Sequence, residues 1–336
     1  MTVLVVGGAG YIGSHAARAL RQRGYETVIY DNLSTGHAQL AAGFELIQGD
    51  LADTAKLSMA LRGVDAVMHF AAHAYVGESV ENPRKYFQNN VEAGLALLNT
   101  CLDCGVRKFI FSSTCAVYGV PLQIPISEDS ARLPINPYGV SKLFFERALE
   151  AYDQAYGLRW ASLRYFNAAG ADEDGVIGEM HHPETHLIPL ALEAAMGARP
   201  ELEVFGADYS TPDGTCVRDY IHVNDLAEGH VAALQYLQSE ERSLAVNLGT
   251  GRGTSVKEIL EAVEKVTGSK VPKRVVPRRS GDPPALVADP RRAESLLHWK
   301  AKRSLEQMVS TAWKWMRRRR TGVPCTLGDG RLKHGA

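Results

Sequence analysis

Cysteine is scarce in this chain. Five residues, Cys101, Cys104, Cys115, Cys216 and Cys325, are spread over 336 positions, an odd and sparse set that argues against a disulfide framework. Cys101 and Cys104 spell C-x-x-C, but no second pair stands at zinc spacing. They lie in the run Leu95, Leu97, Leu98, Leu102, which reads as a buried helix where a thiol acts as a small hydrophobe. Excess charge is lacking too: 37 Lys and Arg stand against 38 Asp and Glu, a formal net charge of -1. Such a chain has no field with which to hold nucleic acid or anionic lipid through many basic contacts. No window gathers the roughly 18 apolar residues that spanning a bilayer needs. The apolar run at Val3 is entered without a basic leader or a small-residue cleavage site, and a cytoplasmic protein is the expectation. There is no internal repeat.

What remains is ordinary globular composition, 45% hydrophobic and 22% charged, in a chain long enough for two domains. Val3-Leu4-Val5-Val6 runs into Gly7-Gly8-Ala9-Gly10-Tyr11-Ile12-Gly13 and then into a stretch carrying Ala16, Ala19 and Leu20, which reads as strand, glycine turn and helix. Short apolar runs recur at Val28–Tyr30, Ala66–Met68, Phe109–Phe111 and Ala161–Leu163, separated by segments of helical period. That alternation predicts an α/β fold with a parallel sheet covered on both faces. Beyond Tyr165 the pattern turns irregular, then recovers with a helix over Asn224–Leu237 and a strand at Val246–Leu248. The expected division is 1–166, with returning segments near 216–250, against a smaller lobe of 167–215 and 251–320. A capping box opens a helix at Ser255 with Glu258. Arg317 to Arg320 are expected in a solvated, partly disordered terminus, with a flexible tail over 321–336.

The glycines fit Gly7-x-x-Gly10-x-x-Gly13 and Gly8-x-Gly10-x-x-Gly13. Glycine suits a turn that needs positive φ and a backbone that must approach a pyrophosphate at a helix start. Asp31 stands 18 residues after Gly13, beyond the second apolar run, where a carboxylate can accept both ribose hydroxyls; a turn or cap residue is the alternative. A carboxylate there repels a 2'-phosphate, and Asn32-Leu33-Ser34-Thr35-Gly36 supplies no arginine to welcome one, so NAD is preferred over NADP. Asp50 and Leu51 fall where the third strand should end, near an adenine.

Tyr138 and Lys142 are four residues apart and share a helix face. A neighbouring ammonium favours phenolate and is expected to bring the tyrosine down toward working pH as a general base. Ser112-Ser113-Thr114 ends the fourth apolar run of the sheet, where ligands of parallel sheets gather, and offers a hydroxyl to substrate and tyrosine alike.

With these residues in hand the chain resembles the extended short-chain dehydrogenase/reductases and, among them, the UDP-glucose 4-epimerases. The likeness runs from Val3 to about Trp315 through GGAGYIGSH, DNLSTG, HFAAHAYVGESV, NNV, SSTCAVYG, PYGVSK, RYFNAAGA, DGTCVRDYIHV and the block around Arg278-Arg279-Ser280-Gly281-Asp282. It implies a Rossmann-like doubly wound sheet with a smaller mixed α/β lobe for the UDP-sugar. It implies Tyr138 as base, Lys142 as the lysine that binds nicotinamide ribose and tunes that base, and Thr114 as their hydroxyl partner. NAD contacts implied are Gly7, Gly10, Tyr11, Ile12, Gly13, Asp31, Asn32, Asp50, Leu51, Phe70, Ala71, Asn89 and Phe166. Asn167, Arg218, Arg279 and Asp282 are implied to hold the UDP moiety. Fork-shaped guanidinium donors suit a diphosphate, and a surface salt bridge is the alternative for either arginine.

The implied reaction interconverts UDP-glucose and UDP-galactose: Tyr138 takes the 4-hydroxyl proton, hydride passes from C4 to bound NAD, and the 4-keto sugar turns and takes hydride on its other face. The resemblance also implies a homodimer through helices around Asn90–Cys104 and Tyr138–Tyr156. Two departures blur the sugar. Ala74 stands where many relatives have lysine, and His73-Ala74-Tyr75-Val76-Gly77 is closer to some pentose-nucleotide epimerases. Leu286, four residues after Asp282, takes the place of a bulky Tyr associated with exclusion of N-acetyl sugars. UDP-xylose/UDP-arabinose or UDP-N-acetylglucosamine are therefore alternative substrates, and a non-catalytic NAD-binding sensor is a remote alternative. A 4,6-dehydratase would need an Asp-Glu pair where this chain has Cys115 and Ala116. His181, His182, Glu184 and His186 have metal-ligand types but sit in an irregular loop, and pocket lining with no metal is the expectation.

Overall fold

The computed structural model describes residues 1–279 and 282–321. Ser280, Gly281, Cys325 and the tail expected beyond Thr321 lie outside the described residues. Strands β1 (Thr2–Val6), β2 (Glu26–Asp31), β3 (Glu45–Gln48), β4 (Ala66–His69), β5 (Lys108–Thr114) and β6 (Arg159–Tyr165) enter one sheet. β7 (Asn167–Ala169), β8 (Leu202–Phe205) and β9 (Val217–His222) leave it, and β10 (Leu244–Leu248) returns. The order is β10-β6-β5-β4-β1-β2-β3, parallel at every pairing.

The crossovers are α1 (Tyr11–Gln22), α2 (Thr54–Ala60), α3 (Val76–Glu81), α4 (Pro83–Tyr86), α5 (Ala93–Asp103) and α6 (Pro137–Tyr156). Later come α7 (Leu187–Ala195), α8 (Val223–Ser239), α9 (Val256–Thr267), α10 (Arg291–Leu297) and α11 (Leu305–Arg320). Alternate residues of β1 serve opposite faces, as a pleated strand requires. Val3 and Val5 join Leu20 of α1 and Leu234 of α8 in one core, while Leu4 and Val6 join Leu57 of α2, Leu97 of α5 and Phe145 of α6 in another. This is the doubly wound parallel sheet that the alternation predicts.

A smaller sheet gathers around β9, flanked by β11 (Gly253–Ser255) and β13 (Ala285–Leu286), with β7 pairing along its later residues; β12 (Lys273–Val276) pairs with β8. Ile188, Ile259 and Met308, from α7, α9 and α11, pack a third core. The capping box at Ser255 and Glu258 forms as read. Cys101 is buried, but Cys104 is the exposed C-cap residue of α5 rather than a core thiol. Arg317–Arg320 depart from expectation as well: they form the last turn of α11, where Arg317 and Arg319 stack on Trp313 and Trp315 and four cations face the negative helix end. No described helix is long and apolar enough to cross a membrane.

Candidate active site

The turn after β1 approaches the chain leaving β4 so closely that a side chain at Gly7 could not fit. Its φ is +78°, and a Cβ would lie 2.5 Å from the Ala71 nitrogen; at Gly13 a Cβ would lie 2.3 Å from the Gly7 carbonyl oxygen. Gly10, the N-cap of α1, offers no side chain, so the first amides of the helix face outward without a side-chain partner. Tyr11 is buried and donates its hydroxyl to the Gly170 carbonyl at 2.6 Å, with Ile12 beside it packed against the first core. Asp31, the last residue of β2, takes up the turn role suggested for it. Oδ2 accepts from the Ala9 amide at 2.9 Å and Oδ1 from Leu33 at 2.8 Å, leaving each oxygen a further lone pair. Burial raises its pKa, and those two backbone bonds oppose the rise. Asn32 donates to Asp50 Oδ2 at 2.8 Å, and Leu51 is buried behind them.

Phe70 and Ala71 continue from β4, and the Phe70 amide donates to the Val6 carbonyl at 2.7 Å. Asn89 lies on a π turn, Phe87–Glu92, and donates to Asn90 Oδ1 at 2.9 Å. A cradle closed to any Cβ, an uncapped helix start and a carboxylate with spare acceptors together fit a dinucleotide.

Across the sheet, Asn136 caps α6 by accepting from the Gly139 amide at 2.8 Å, and Pro137 starts the helix with its φ already set. Tyr138 and Lys142 are thereby one turn apart beside the end of β5. Thr114 accepts from the Ala116 amide at 3.1 Å, and its hydroxyl neighbours Tyr138. The ring of buried Tyr86 stands edge-on to Tyr138 at 6.5 Å. Lys142 Nζ donates to the Ser112 carbonyl at 2.8 Å and sits 4.8 Å above the Phe111 ring.

The electrostatics correct one expectation. Burial pushes Tyr138 up to about 12, and the neighbouring Thr114 hydroxyl works against that rise. Burial also brings Lys142 down to about 7, with Glu146 working against that. Desolvation outweighs the charge pairing because the ammonium is committed to a carbonyl and not to the phenol.

Two groups escaped the sequence reading. Glu146, one turn past Lys142, binds Arg164 through two bonds of 2.9 and 2.7 Å and accepts from Ser113 and Ser162, all buried under the end of β5. The i, i+4 spacing of Lys142 and Glu146 was the available signal. Asn90 ties Ser141 of α6 to the His73 backbone at 3.0 and 2.9 Å.

The residues assigned to UDP gather around β9. Arg218 pairs in register with Leu286, and Asn167 with Tyr220, two residues further on and so on the same face of the strand. Arg218 is ion-paired with Asp282, so the salt-bridge alternative is realised in part. Arg279 stacks 4.0 Å over Phe205. Phe166 is buried with Val117 and Tyr118, and Cys115 and Leu286 pack against the same cluster. That cluster joins the end of β6 to the wall beside Arg218.

The profile of the NAD dependent epimerase/dehydratase family matches residues 3–249. The chain belongs to that family. It is 50% identical to a UDP-glucose 4-epimerase of Rhizobium leguminosarum bv. trifolii over 316 residues, 94% of this chain and 97% of the relative. Among solved structures it is similar to UDP-glucose 4-epimerase from Brucella ovis in complex with NAD, with 53% identity, a TM-score of 0.91 and coverage of 93% and 97% of the two chains. It is also similar to the Stenotrophomonas maltophila enzyme with bound NAD and formylated UDP-arabinopyranose, with 42% identity, a TM-score of 0.93 and coverage of 96% and 99%. The family membership and the Rossmann-like fold inferred from the motifs are borne out at this level of identity.

Proposed function

We propose that this chain interconverts UDP-glucose and UDP-galactose by inverting C4, with NAD held by the cradle of Gly7, Gly10 and Gly13 and by Asp31. The observation that carries this reading is the placement of Tyr138 and Lys142 one turn apart on α6, with Lys142 Nζ bonded to the Ser112 carbonyl at the end of β5. NAD, when bound, supplies the hydride acceptor that oxidises C4 and the donor that reduces it again. Tyr138 takes the proton of the 4-hydroxyl in the first half and returns it in the second. Thr114 holds the substrate oxygen on the phenol. Lys142, turned from the Ser112 carbonyl toward a ribose hydroxyl, supplies the positive charge that the phenolate needs. Arg218 and Arg279 grip the diphosphate, with Asp282 and Asn167 at the nucleoside, so that the hexose itself remains free to rotate between the two hydride transfers.

The fold suits that division of labour. The sugar nucleotide lies between the seven-stranded sheet, residues 1–166 with β10 returned to it, and the lobe of 167–215 and 251–320. Two chains pair through α5 and α6 in the cytoplasm; exposed Val140 and Phe144, four residues apart on α6, support that face. A second reading, a broader sugar range, is favoured by Leu286.

The test is to incubate purified protein with UDP-glucose and no added cofactor, follow UDP-galactose by proton NMR, and release bound nucleotide by acid. Equilibration of the two sugars with NAD in the extract is expected. Dependence on added NADP, or stoichiometric NADH release, overturns the proposal.

A further inference from the structure

The segment between β7 and α7 carries a cluster that the proposed reaction does not use. Of the residues expected there to line a pocket, exposed His182 stands apart, and Glu179, which the sequence did not single out, takes its place. Glu179, His181, Glu184 and His186 each offer one donor atom, and the four atoms lie within 4.8 Å of one another. His181 Nδ1 lies 3.0 Å from Glu179 Oε1 and 4.0 Å from Glu184 Oε1; His186 Nδ1 lies 2.6 and 3.1 Å from the same two oxygens. A tetrahedron with metal bonds of about 2.0–2.2 Å has edges of roughly 3.3–3.6 Å, a value these separations straddle.

The frame behind the donors is held from several sides. Glu184 Oε1 accepts from the amides of Thr185 and His186 at 2.7 and 2.9 Å. Trp315 of α11 donates to the Glu179 carbonyl at 2.9 Å, and the Tyr75 hydroxyl donates to the Pro183 carbonyl at 3.2 Å. The His181 ring meets Tyr11 and Tyr75 edge-on at 6.3 and 6.0 Å. Such backing is what keeps ligand side chains oriented in metal sites.

We propose that Glu179, His181, Glu184 and His186 form a closed four-coordinate site for zinc. Two imidazole nitrogens and two carboxylate oxygens suit a borderline cation that accepts four ligands, whereas calcium or magnesium would require six or more oxygens. With all four positions filled by protein the ion is structural. It cross-links the segment to itself beside the dinucleotide turn, where His181 meets Tyr11 of α1 and Trp315 of α11 holds the Glu179 carbonyl.

The test uses untagged full-length protein with its cofactor, freed of metal by chelator and titrated with zinc by calorimetry and with cobalt by visible absorption. Expected are about one zinc per chain and the intense visible bands of four-coordinate cobalt. In the combined variant His181→Ala, His186→Ala, zinc affinity falls at least about tenfold and the cobalt bands vanish. Glu184→Gln, nearly isosteric, lowers the affinity in the same direction and serves if the double variant fails to fold. Absence of saturable binding in the unaltered protein, a six-coordinate cobalt spectrum, or undiminished affinity in a folded variant overturns the proposal.

Discussion

Leu286 stands opposite Arg218 in the parallel pairing of β13 with β9. Arg218 in turn is ion-paired with Asp282, four residues before Leu286. In the proposed reaction the diphosphate grip and the wall beside the sugar are therefore adjacent on one strand pair. Leu286 also packs with Phe166, Val117 and Tyr118, so a change of its volume is felt on the sugar side of the cluster.

Leucine in place of a tyrosine ring lets that wall recede. The unaltered protein should epimerise UDP-N-acetylglucosamine, and Leu286→Tyr should lower kcat/KM for it about tenfold or more beyond any loss with UDP-glucose, because the discrimination rests on a clash. Comparison of kcat/KM for UDP-glucose, UDP-N-acetylglucosamine and UDP-xylose decides this. No turnover of the acetylated sugar would sink it, and a preference for UDP-xylose would favour the pentose reading suggested by His73-Ala74-Tyr75.

Tyr138→Phe removes only the titrating oxygen. Activity should fall by about 10²–10⁴-fold, the usual contribution of a positioned general base, while NAD binding and melting temperature stay near those of the parent. Near-full activity would remove Tyr138 from the mechanism.

Lys142→Met should weaken NAD and move the rising limb of the pH–activity profile upward. A base works only when deprotonated, and in the NAD-bound state, where Lys142 is proposed to have turned from the Ser112 carbonyl, loss of its cation lets the phenol pKa climb. Stability should move the other way. In the cofactor-free protein the folded pKa of Lys142, about 7, lies below its ordinary 10.5. The buried charge thus opposes folding fully below pH 7, and progressively less as pH rises toward 10.5. Thermal scans of cofactor-free protein at neutral pH should show the variant melting no lower than the parent.

Glu146→Gln leaves the guanidinium of Arg164 buried without its counter-charge, with 3% of its side chain exposed. Breaking such a pair costs about 3–5 kcal/mol, readable as a lower urea midpoint. Burial raises the Glu146 pKa, but Arg164, Ser113 and Ser162 outweigh it and hold the carboxyl below its ordinary 4.5. The pair's stabilisation is therefore fully present above that value and lost as pH falls through the lower folded one. An unchanged midpoint at neutral pH would show that the network is dispensable.

Phe144, 53% exposed, and Val140 lie four residues apart on α6. Phe144→Asp should convert a dimer to monomer in light scattering, since a charge at the centre of an apolar interface is desolvated without a partner. A parent that is already monomeric defeats the pairing through α6.

Local spacing was enough for part of this site. Gly7 to Gly13 read as the turn they form, and Tyr138 and Lys142 as one face of a helix, because both depend on backbone periods within a few residues. Arg317–Arg320 misled for the same reason: composition alone marks an arginine run as solvent-loving, and only the stacking of Arg317 on Trp313 and Arg319 on Trp315 shows the helix continuing through it.

By itself, then, the amino-acid sequence determined the strand–turn–helix start, the alternation that builds a parallel sheet, the acidic end of β2 and the tyrosine–lysine pair. Tertiary structure alone decided that Leu286 lies beside Arg218, that Glu179 joins His181, Glu184 and His186, and that Glu146 anchors Arg164 under the end of β5. It also decided that burial lifts Tyr138 and lowers Lys142. The physical reason is range: hydrogen-bond periods act over a few residues, whereas register between distant strands and the cost of removing a charge from water depend on which remote segments close over it.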